Sequence, residues 1–162
     1  MGRKIYKLRW AERFIDNMPT QDIEEYLEAI LDIVIEKDVA KTNDLALALN
    51  VSPSSVTEVI QRMSKNELII YEPYRGVRLS EKGLEIAIKI KRKHRILEVF
   101  LNDYLCINPE KVHEDACKME HCVSDEITDA ICRLLQGPDK CPCGKEIPKC
   151  FPEKNCDECK RR

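Results

Sequence analysis

The amino-acid sequence predicts a mainly α-helical fold with one small β-hairpin, in which an N-terminal winged helix-turn-helix precedes a C-terminal helical domain. Three features support this prediction: apolar residues recur at helical spacing, a tight turn joins a short helix to the next one, and two strand-like runs follow. A chain of 162 residues with 43% hydrophobic residues can bury one core or two small ones. We expect two small domains.

The first predicted helix begins at Thr20, a residue type that caps helices. Its apolar positions repeat every three or four residues and are Ile23, Tyr26, Leu27, Ile30, Leu31, Val34 and Ile35. The opposite face carries Glu24, Glu25 and Glu28, for which a solvated acidic face near the positive end of the helix dipole is the default interpretation. Residues 1–19 form a basic N-terminal extension that lacks the apolar run of a signal peptide.

A helix-turn-helix is predicted next. Thr42–Asn50 has the pattern of a short helix, and Pro53 suits the first turn of a second helix that runs to about Glu67. The inner stripe of this pair consists of Leu45, Leu49, Val51, Val56, Ile60 and Met63. The polar outward positions, together with Ser52 from the turn, form a candidate DNA-recognition surface of Ser54, Ser55, Thr57, Glu58, Gln61 and Arg62.

A β-hairpin directly behind these helices completes the pattern of a winged helix. Leu68–Tyr71 and Val77–Leu79 are short strand candidates, and the Pro and Gly residues between them favour a turn. Arg75 and Arg78 place positive charge on this wing, where phosphate contact is the natural role, although exposed arginines on hairpins are common. We therefore predict that residues 20–80 are a DNA-binding domain.

Three further helices are predicted beyond the wing. Ser80 caps a long helix that reaches about Tyr104, and its basic stretch from Lys89 to Arg95 is expected to be a solvated face. The next helix runs from Pro109 to about Cys122, and the last from Asp125 to Gln136. The last helix has an apolar stripe suited to a subunit interface, formed by Ile127, Ala130, Ile131, Leu134 and Leu135.

Four metal-capable side chains lie on one face of the helix that begins at Pro109. They are His113, Cys117, Glu120 and His121, at offsets of four, seven and eight. Two imidazoles, a thiol and a carboxylate make a poor apolar core but can hold a transition metal. Carboxylates, imidazoles and one thiolate suit Fe(II) or Mn(II) by geometry, although Zn(II) or Co(II) would bind at least as tightly in vitro. Residues 81–138 are therefore predicted to be a helical metal-binding and dimerisation domain.

The nine cysteines are expected to be metal ligands, redox groups or buried thiols, because no secretion signal accompanies them. Residues 139–162 form a Cys-rich tail without a core of its own. Its candidate metal ligands are Cys141, Cys143, Cys150, Cys156 and Cys159. These thiols suffice for a Zn(II) site or an iron-sulfur cluster. The alternative is a disordered tail with reactive thiols. Cys106, Cys122 and Cys132 are expected to be buried small hydrophobes.

The order of elements and four short motifs resemble the metal-dependent transcriptional regulators typified by the diphtheria toxin repressor and the manganese transport regulator. The resemblance spans about Thr20 to Pro148 and rests on Arg92-Lys93-His94-Arg95, on residues 111–117, on Glu120-His121 and on Ser124-Asp125-Glu126. It implies a primary divalent metal site of Glu25, His94, Cys117, Glu120 and His121. Glu28 matches a further carboxylate ligand of the manganese-responsive branch, whereas Cys117 matches the thiolate of the iron-responsive branch.

The resemblance also implies a second metal position and a mode of DNA contact. His94, Glu98 and His113 match the ancillary site of the iron-responsive branch, whose further ligands come from an SH3-like domain that has no counterpart here. Residues 53–57 match the start of the recognition helix and imply base-edge or phosphate contacts from Ser54, Ser55 and Thr57. Glu58 departs from the amide or lysine expected at its position.

These observations predict a cytoplasmic homodimeric repressor that binds double-stranded operator DNA when Fe(II) or Mn(II) fastens its two domains. The protein is not expected to be an enzyme, to contact a membrane or to bind a small organic ligand. Two alternatives remain. One is a redox-sensing repressor that uses the tail thiols, and the other is a metalloenzyme that activates water with His113, Glu120 and His121.

Overall fold

The computed structural model describes residues 20–149, which form two compact units divided between Gly83 and Leu84. The first unit contains α1 (Thr20–Lys37), α2 (Thr42–Ala48), α3 (Pro53–Lys65), β1 (Ile69–Glu72), β2 (Gly76–Leu79) and the beginning of α4 (Glu81–Val99). The second contains the rest of α4, a π-helical turn at Phe100–Tyr104, α5 (Pro109–Glu120) and α6 (Asp125–Leu134). The predicted mainly α-helical fold with one hairpin is confirmed.

The helix-turn-helix of the first unit forms where its local signals predict it. Ser52 caps α3, because its Oγ accepts a hydrogen bond from the Ser55 amide at 3.2 Å, and Pro53 follows in the first turn. The core side chains of α1, α2 and α3 include Leu27, Ile30, Leu45, Val56, Ile60 and Met63, all essentially inaccessible to solvent. Val51 was predicted to lie in this inner stripe but is exposed, because it belongs to the turn.

The wing is a two-stranded antiparallel sheet in which Ile69 pairs with Leu79 and Glu72 with Gly76. Ala40 adds a short third segment, since its backbone exchanges hydrogen bonds of 3.0 and 2.8 Å with Val77. Ser80 Oγ donates to the Glu67 carbonyl at 2.7 Å and accepts from the Gly83 amide at 3.1 Å. These contacts fix the start of α4 against the strand β1 that precedes it.

Gly83→Ala is expected to destabilise the protein by about 1–3 kcal/mol through overpacking. A Cβ at this position would lie 1.9 Å from the Leu68 carbonyl oxygen, which is backbone and already accepts a hydrogen bond from Ser80. The urea midpoint of unfolding measures the effect. The matched control is Gly144→Ala, where a Cβ meets nothing within 4 Å and only the positive φ of 82° adds strain. Equal midpoints for Gly83→Ala and the unmodified chain would contradict this close approach.

The second unit packs around Leu97, Leu101, Val112 and Ala116, against which Ile107, Met119, Val123 and Ile131 are partly buried. Asn108 caps α5 by accepting from the Glu110 amide at 3.1 Å, and Ser124 caps α6 by accepting from the Ile127 amide at 3.2 Å. The predicted long helix widens at its end into the π-helical turn. None of the helices within residues 20–149 is long and apolar enough to cross a membrane.

Two expectations for the second unit were wrong. Lys91 and Arg92 are buried instead of solvated, and Arg92 pairs with Asp129 of α6 at 3.0 Å, so part of the basic stretch attaches α6 to α4. Cys132 is buried as expected, but Cys106 and Cys122 are exposed. Both cysteines are exposed because they lie outside the helices. Cys106 has a φ of 53° in the loop before α5, and Cys122 follows the end of α5.

Candidate metal centre

His94, His113 and Cys117 form a compact cluster in the second unit, with potential ligand atoms that all lie within 4.8 Å of one another. α4 supplies His94, and α5 supplies the other two from successive turns. Cys117 Sγ lies 3.8 Å from His94 Nδ1 and 3.9 Å from His113 Nε2. His94 Nε2 lies 3.2 Å from His113 Nδ1. The two imidazoles and the thiol therefore converge on one point.

Two buried carboxylates flank this cluster, one at each nitrogen of His94. Glu120 Oε2 lies 2.7 Å from His94 Nδ1, and Glu120 Oε1 lies 3.3 Å from His121 Nε2. Glu98 Oε1 lies 3.1 Å from His94 Nε2 and 3.2 Å from His113 Nδ1. The side chain of His121 is 6% exposed, whereas that of His113 is 75% exposed. The centre thus has a buried side at Glu120 and an open side at His113.

The pKa values of His94 and Glu98 are shifted far from their ordinary values. Burial opposes charge on His94, but hydrogen bonds with Cys117, Glu120 and Glu98 outweigh it and raise its pKa to about 12. Burial likewise opposes charge on Glu98, while the hydrogen bond and charge of His94 and the hydrogen bonds of His113 and Cys141 lower its pKa to about 2. Both pKa shifts favour a protonated His94 beside an ionised Glu98 when no metal is bound.

The free energy of unfolding of the metal-free protein is expected to depend on pH through these two groups. The raised pKa of His94 means that its contribution is complete below its unfolded value of 6.5 and is lost as pH rises above it. The lowered pKa of Glu98 means that its contribution is complete above 4.5 and is lost as pH falls below it. Urea unfolding across pH with chelator should therefore show both contributions in full only between pH 4.5 and pH 6.5. His94→Asn should remove the decline on the alkaline side, and an unchanged profile would contradict the assignment.

The residues present fit a divalent transition metal. A thiol, imidazoles and carboxylates are the donors such ions prefer, and His94 Nδ1 lies 2.7 Å from Glu120 Oε2 and 3.8 Å from Cys117 Sγ. A cation here would replace the proton that His94 carries. Metal affinity would accordingly rise with pH.

Those predicted ligands of the two metal sites that belong to the second unit lie next to one another there. His94, Cys117, Glu120 and His121 of the predicted primary site lie together, and His94, Glu98 and His113 of the predicted ancillary site adjoin them. Glu25 and Glu28 lie on α1 in the first unit. Glu25 is exposed and accepts a hydrogen bond from Gln21 at 3.1 Å, and Glu28 is half-buried.

One juxtaposition could not be anticipated from the sequence. Cys141 and Cys143 lie close to Glu98 of α4, with the three potential ligand atoms within 4.8 Å of one another. Burial raises the pKa of the Cys141 thiol, whereas the hydrogen bond from Cys141 lowers that of Cys143. The short Cys-Pro-Cys-Gly motif indicates a possible metal site, but it gives no information about a third ligand on α4. Cys150, Cys156 and Cys159 lie outside the described residues, so a site formed by the tail alone stays a prediction.

The predicted DNA-recognition surface lies at the exposed start of α3. Ser52 Oγ lies 2.8 Å from the hydroxyl oxygens of both Ser54 and Ser55, and all three residues are exposed. Thr57 Oγ1 donates to the Pro53 carbonyl at 2.9 Å. Glu58 and Gln61 are exposed farther along the helix, and Arg62 is half-buried. The helix therefore presents hydroxyl groups at its N-terminal end, followed by longer polar side chains.

Both wing arginines are exposed and already pair with carboxylates. Arg75 Nη1 lies 3.1 Å from Glu72 Oε2, and Arg78 pairs with Asp38. Such solvent-exposed ion pairs contribute little to stability, typically about 0–1 kcal/mol. Phosphate oxygens can therefore replace these carboxylates at small cost.

Taken together, the exposed recognition helix of the first unit and the His, Cys and Glu cluster of the second define a DNA-binding protein of the metal-dependent class. Family models support the same division: an iron-dependent repressor N-terminal DNA-binding domain matches residues 18–77, and an iron-dependent repressor metal-binding and dimerisation domain matches residues 80–149. The chain belongs to the iron-dependent repressor family. The prediction of a transcriptional regulator instead of an enzyme is confirmed.

Individual relatives agree with this assignment. An uncharacterised HTH-type transcriptional regulator of Methanocaldococcus jannaschii is 41% identical over 113 residues, which cover 69% of this chain and 90% of that protein. The HTH-type transcriptional regulator MntR of Geobacillus thermodenitrificans is 40% identical over 119 residues, which cover 74% of this chain and 84% of that protein. The structure of the metal-dependent transcriptional regulator MtsR is similar with a TM-score of 0.73 and 35% identity, over 80% of this chain. The match spans 60% of the MtsR chain, so this chain corresponds to about three fifths of that protein.

Proposed function

We propose that this metal-dependent repressor is a cytoplasmic homodimer that senses Fe(II) or Mn(II) and then binds double-stranded operator DNA. Residues 20–80 would bind DNA, and residues 81–138 would bind metal and dimerise. The observation that carries the proposal is the convergence of His94, Cys117 and Glu120, with His121 beside them, in the metal-binding domain.

The donor atoms support both Fe(II) and Mn(II) as the sensed metal. The carboxylate of Glu120 favours a hard ion such as Mn(II), whereas the thiol of Cys117 favours Fe(II). A solved relative is described as a manganese-dependent transcriptional repressor in complex with manganese, which supports Mn(II). Glu28 on α1 would add a further carboxylate in favour of Mn(II).

The proposed coupling requires ligands from both domains. Glu25 and Glu28 of α1 would join His94, Cys117, Glu120 and His121, so that one ligand set restrains the DNA-binding domain relative to the dimer. A bound divalent cation would supply the positive charge that holds these anionic and imidazole ligands together. A dimer must present its two recognition helices roughly 34 Å apart to enter successive major grooves. Restraining the domains therefore selects the DNA-competent arrangement.

The DNA contacts would come from the start of α3 and from the wing. Ser54, Ser55 and Thr57 have hydroxyl groups that can reach phosphates or base edges, and Glu58 can accept from the exocyclic amine of cytosine. Ser52, Gln61 and Arg62 flank them on the same surface. Arg75 and Arg78 would contact phosphates beside the recognition helix.

The test is a mobility shift on the DNA upstream of the chain's own gene, using the full chain prepared without oxygen. Affinity with Fe(II) or Mn(II) is compared with affinity in chelator, at one salt concentration because phosphate contacts are salt-dependent. Tighter binding with either metal supports the proposal. The same affinity in chelator and in metal would refute it.

The redox alternative receives support from the short 2.7 Å separation of the Cys141 and Cys143 sulfur atoms, which would allow the pair to respond to oxidation. It predicts that operator affinity changes with thiol oxidation at constant metal. Replacing both cysteines with serine would abolish that change. The metal-sensing function requires no such response.

A further inference from the structure

The chain after α6 folds into a tight hairpin that carries Cys141 and Cys143 at its tip. The Gly144 amide donates to the Cys141 carbonyl at 2.8 Å, and the Cys141 amide donates to the Lys145 carbonyl at 2.9 Å. The Ile147 amide donates to the Asp139 carbonyl at 2.8 Å and closes the hairpin. Gly144 adopts the left-handed φ of 82° that this turn requires. Both thiols are consequently fixed on one short loop.

The hairpin lies against α4 at two points. Arg95 donates a hydrogen bond to the backbone carbonyl of Glu146, and Cys141 Sγ lies within 4.8 Å of a carboxylate oxygen of Glu98. Cys141 is 4% exposed and Glu98 is 7% exposed, so the contact between them is shielded from solvent. The two sulfur atoms lie 2.7 Å apart as free thiols, well beyond the roughly 2.0 Å of a disulfide bond. Two thiols and a carboxylate therefore meet at a position where Cys141 and Glu98 are buried and Cys143 is exposed.

We propose that Glu98, Cys141 and Cys143 form a second metal site that binds Zn(II). Two thiolates and one carboxylate are three of the four ligands that tetrahedral zinc takes, and water or the exposed His113 completes the set. With Zn–S bonds of about 2.3 Å, a tetrahedral ion holds two sulfurs about 3.8 Å apart. The two sulfur atoms, now 2.7 Å apart, would have to separate by about 1 Å to reach that spacing.

The second site differs from the sensing centre in its chemistry and in its role. Two of its three ligands are soft thiols, which favour Zn(II) over Mn(II). The hairpin exposes Pro142, Gly144, Lys145 and Glu146, so it has little apolar contact of its own, and a metal would attach it to α4. The site also differs from one built by tail cysteines alone, because Glu98 belongs to α4. It requires neither DNA nor a sensed metal.

The experiment uses Co(II) as a spectroscopic probe for Zn(II) on the reduced full chain carrying Cys117→Ser, which removes the thiol of the sensing centre. We expect a thiolate-to-cobalt charge-transfer band with the visible bands of tetrahedral Co(II), and displacement of both by Zn(II). Cys141→Ser with Cys143→Ser should abolish the band. Cys150→Ser, Cys156→Ser and Cys159→Ser together should leave it intact. Because the sensing thiol is absent and no DNA is used, the result is independent of operator binding.

Two further variants keep the test decisive. Cys143 is exposed, so Cys143→Ser alone should preserve the far-ultraviolet circular dichroism and halve the charge-transfer band. Glu98→Gln should weaken Zn(II) binding at least tenfold. Loss of a residue that only hydrogen-bonds to a metal ligand already costs about tenfold in affinity, and Glu98 would bind the metal directly. Glu146→Gln on the same hairpin is the matched control and should have no effect. A band that survives loss of Cys141 and Cys143, a band that disappears with the three tail cysteines, or the absence of any thiolate band would overturn the proposal.

Discussion

Glu120→Ala is expected to abolish the response of operator binding to metal while leaving a folded dimer. Glu120 is 2% exposed, lies 2.7 Å from His94 and 3.3 Å from His121, and is the carboxylate at the buried side of the centre. Without it, the remaining ligands hold a divalent cation far less firmly. The ratio of operator affinities with and without metal should fall from the roughly 5- to 150-fold typical of allosteric coupling to near unity. Mobility shifts and sedimentation measure the two parts of this prediction.

The result can be distinguished from simple unfolding by two comparisons. Glu120→Gln keeps the size of the side chain and one acceptor oxygen but replaces the charged carboxylate by a neutral amide, and it should also lose the metal response. Glu114→Ala removes an exposed carboxylate of the same helix, whose partner is Lys118, and should behave as the unmodified chain does. If Glu120→Gln retained the full metal response, Glu120 would not be a ligand of the sensed metal.

Local sequence signals predicted the parts of the fold that depend on neighbouring residues. Ser80 caps α4 as predicted, and Asn108 and Ser124 cap the helices predicted to begin at Pro109 and Asp125, because a cap requires only its own side chain and the next few amides. The ligand stripe of α5 was visible for the same reason, since a spacing of three or four residues determines a helix face. Cys117 and Glu120 could therefore be assigned to one face before their partners were known.

Features that depend on distant residues were not predictable from the pattern. Arg92 looked like part of a solvated basic face until α6 placed Asp129 against it. Cys141 and Cys143 gained Glu98 as a neighbour only because the chain folds back onto α4. In each case the spacing along the chain carries no information about the contact.

Ile127→Glu combined with Leu134→Glu is expected to convert the dimer into monomers and thereby to remove tight operator binding. These side chains are 52% and 51% exposed and lie two helical turns apart on α6, with exposed Ala130 between them. The opposite face of the same helix is buried through Thr128 and Cys132. An apolar face left on a helix that is already packed on its other side marks a protein interface.

The size of the effect follows from burial. Fully burying a large apolar side chain contributes about 1.5–3 kcal/mol, and each of these is already half-buried. A twofold interface counts both residues twice, so about 3–6 kcal/mol of dimer stability is at stake before the added charges repel one another. Sedimentation equilibrium should show a dimer dissociation constant raised by at least about 100-fold, with circular dichroism unchanged. Leu47→Glu, on an exposed leucine of α2, is the control that should remain dimeric.

A double variant that stayed dimeric would place the interface elsewhere. A folded monomer with weak operator binding would show that the paired recognition helices require this face of α6.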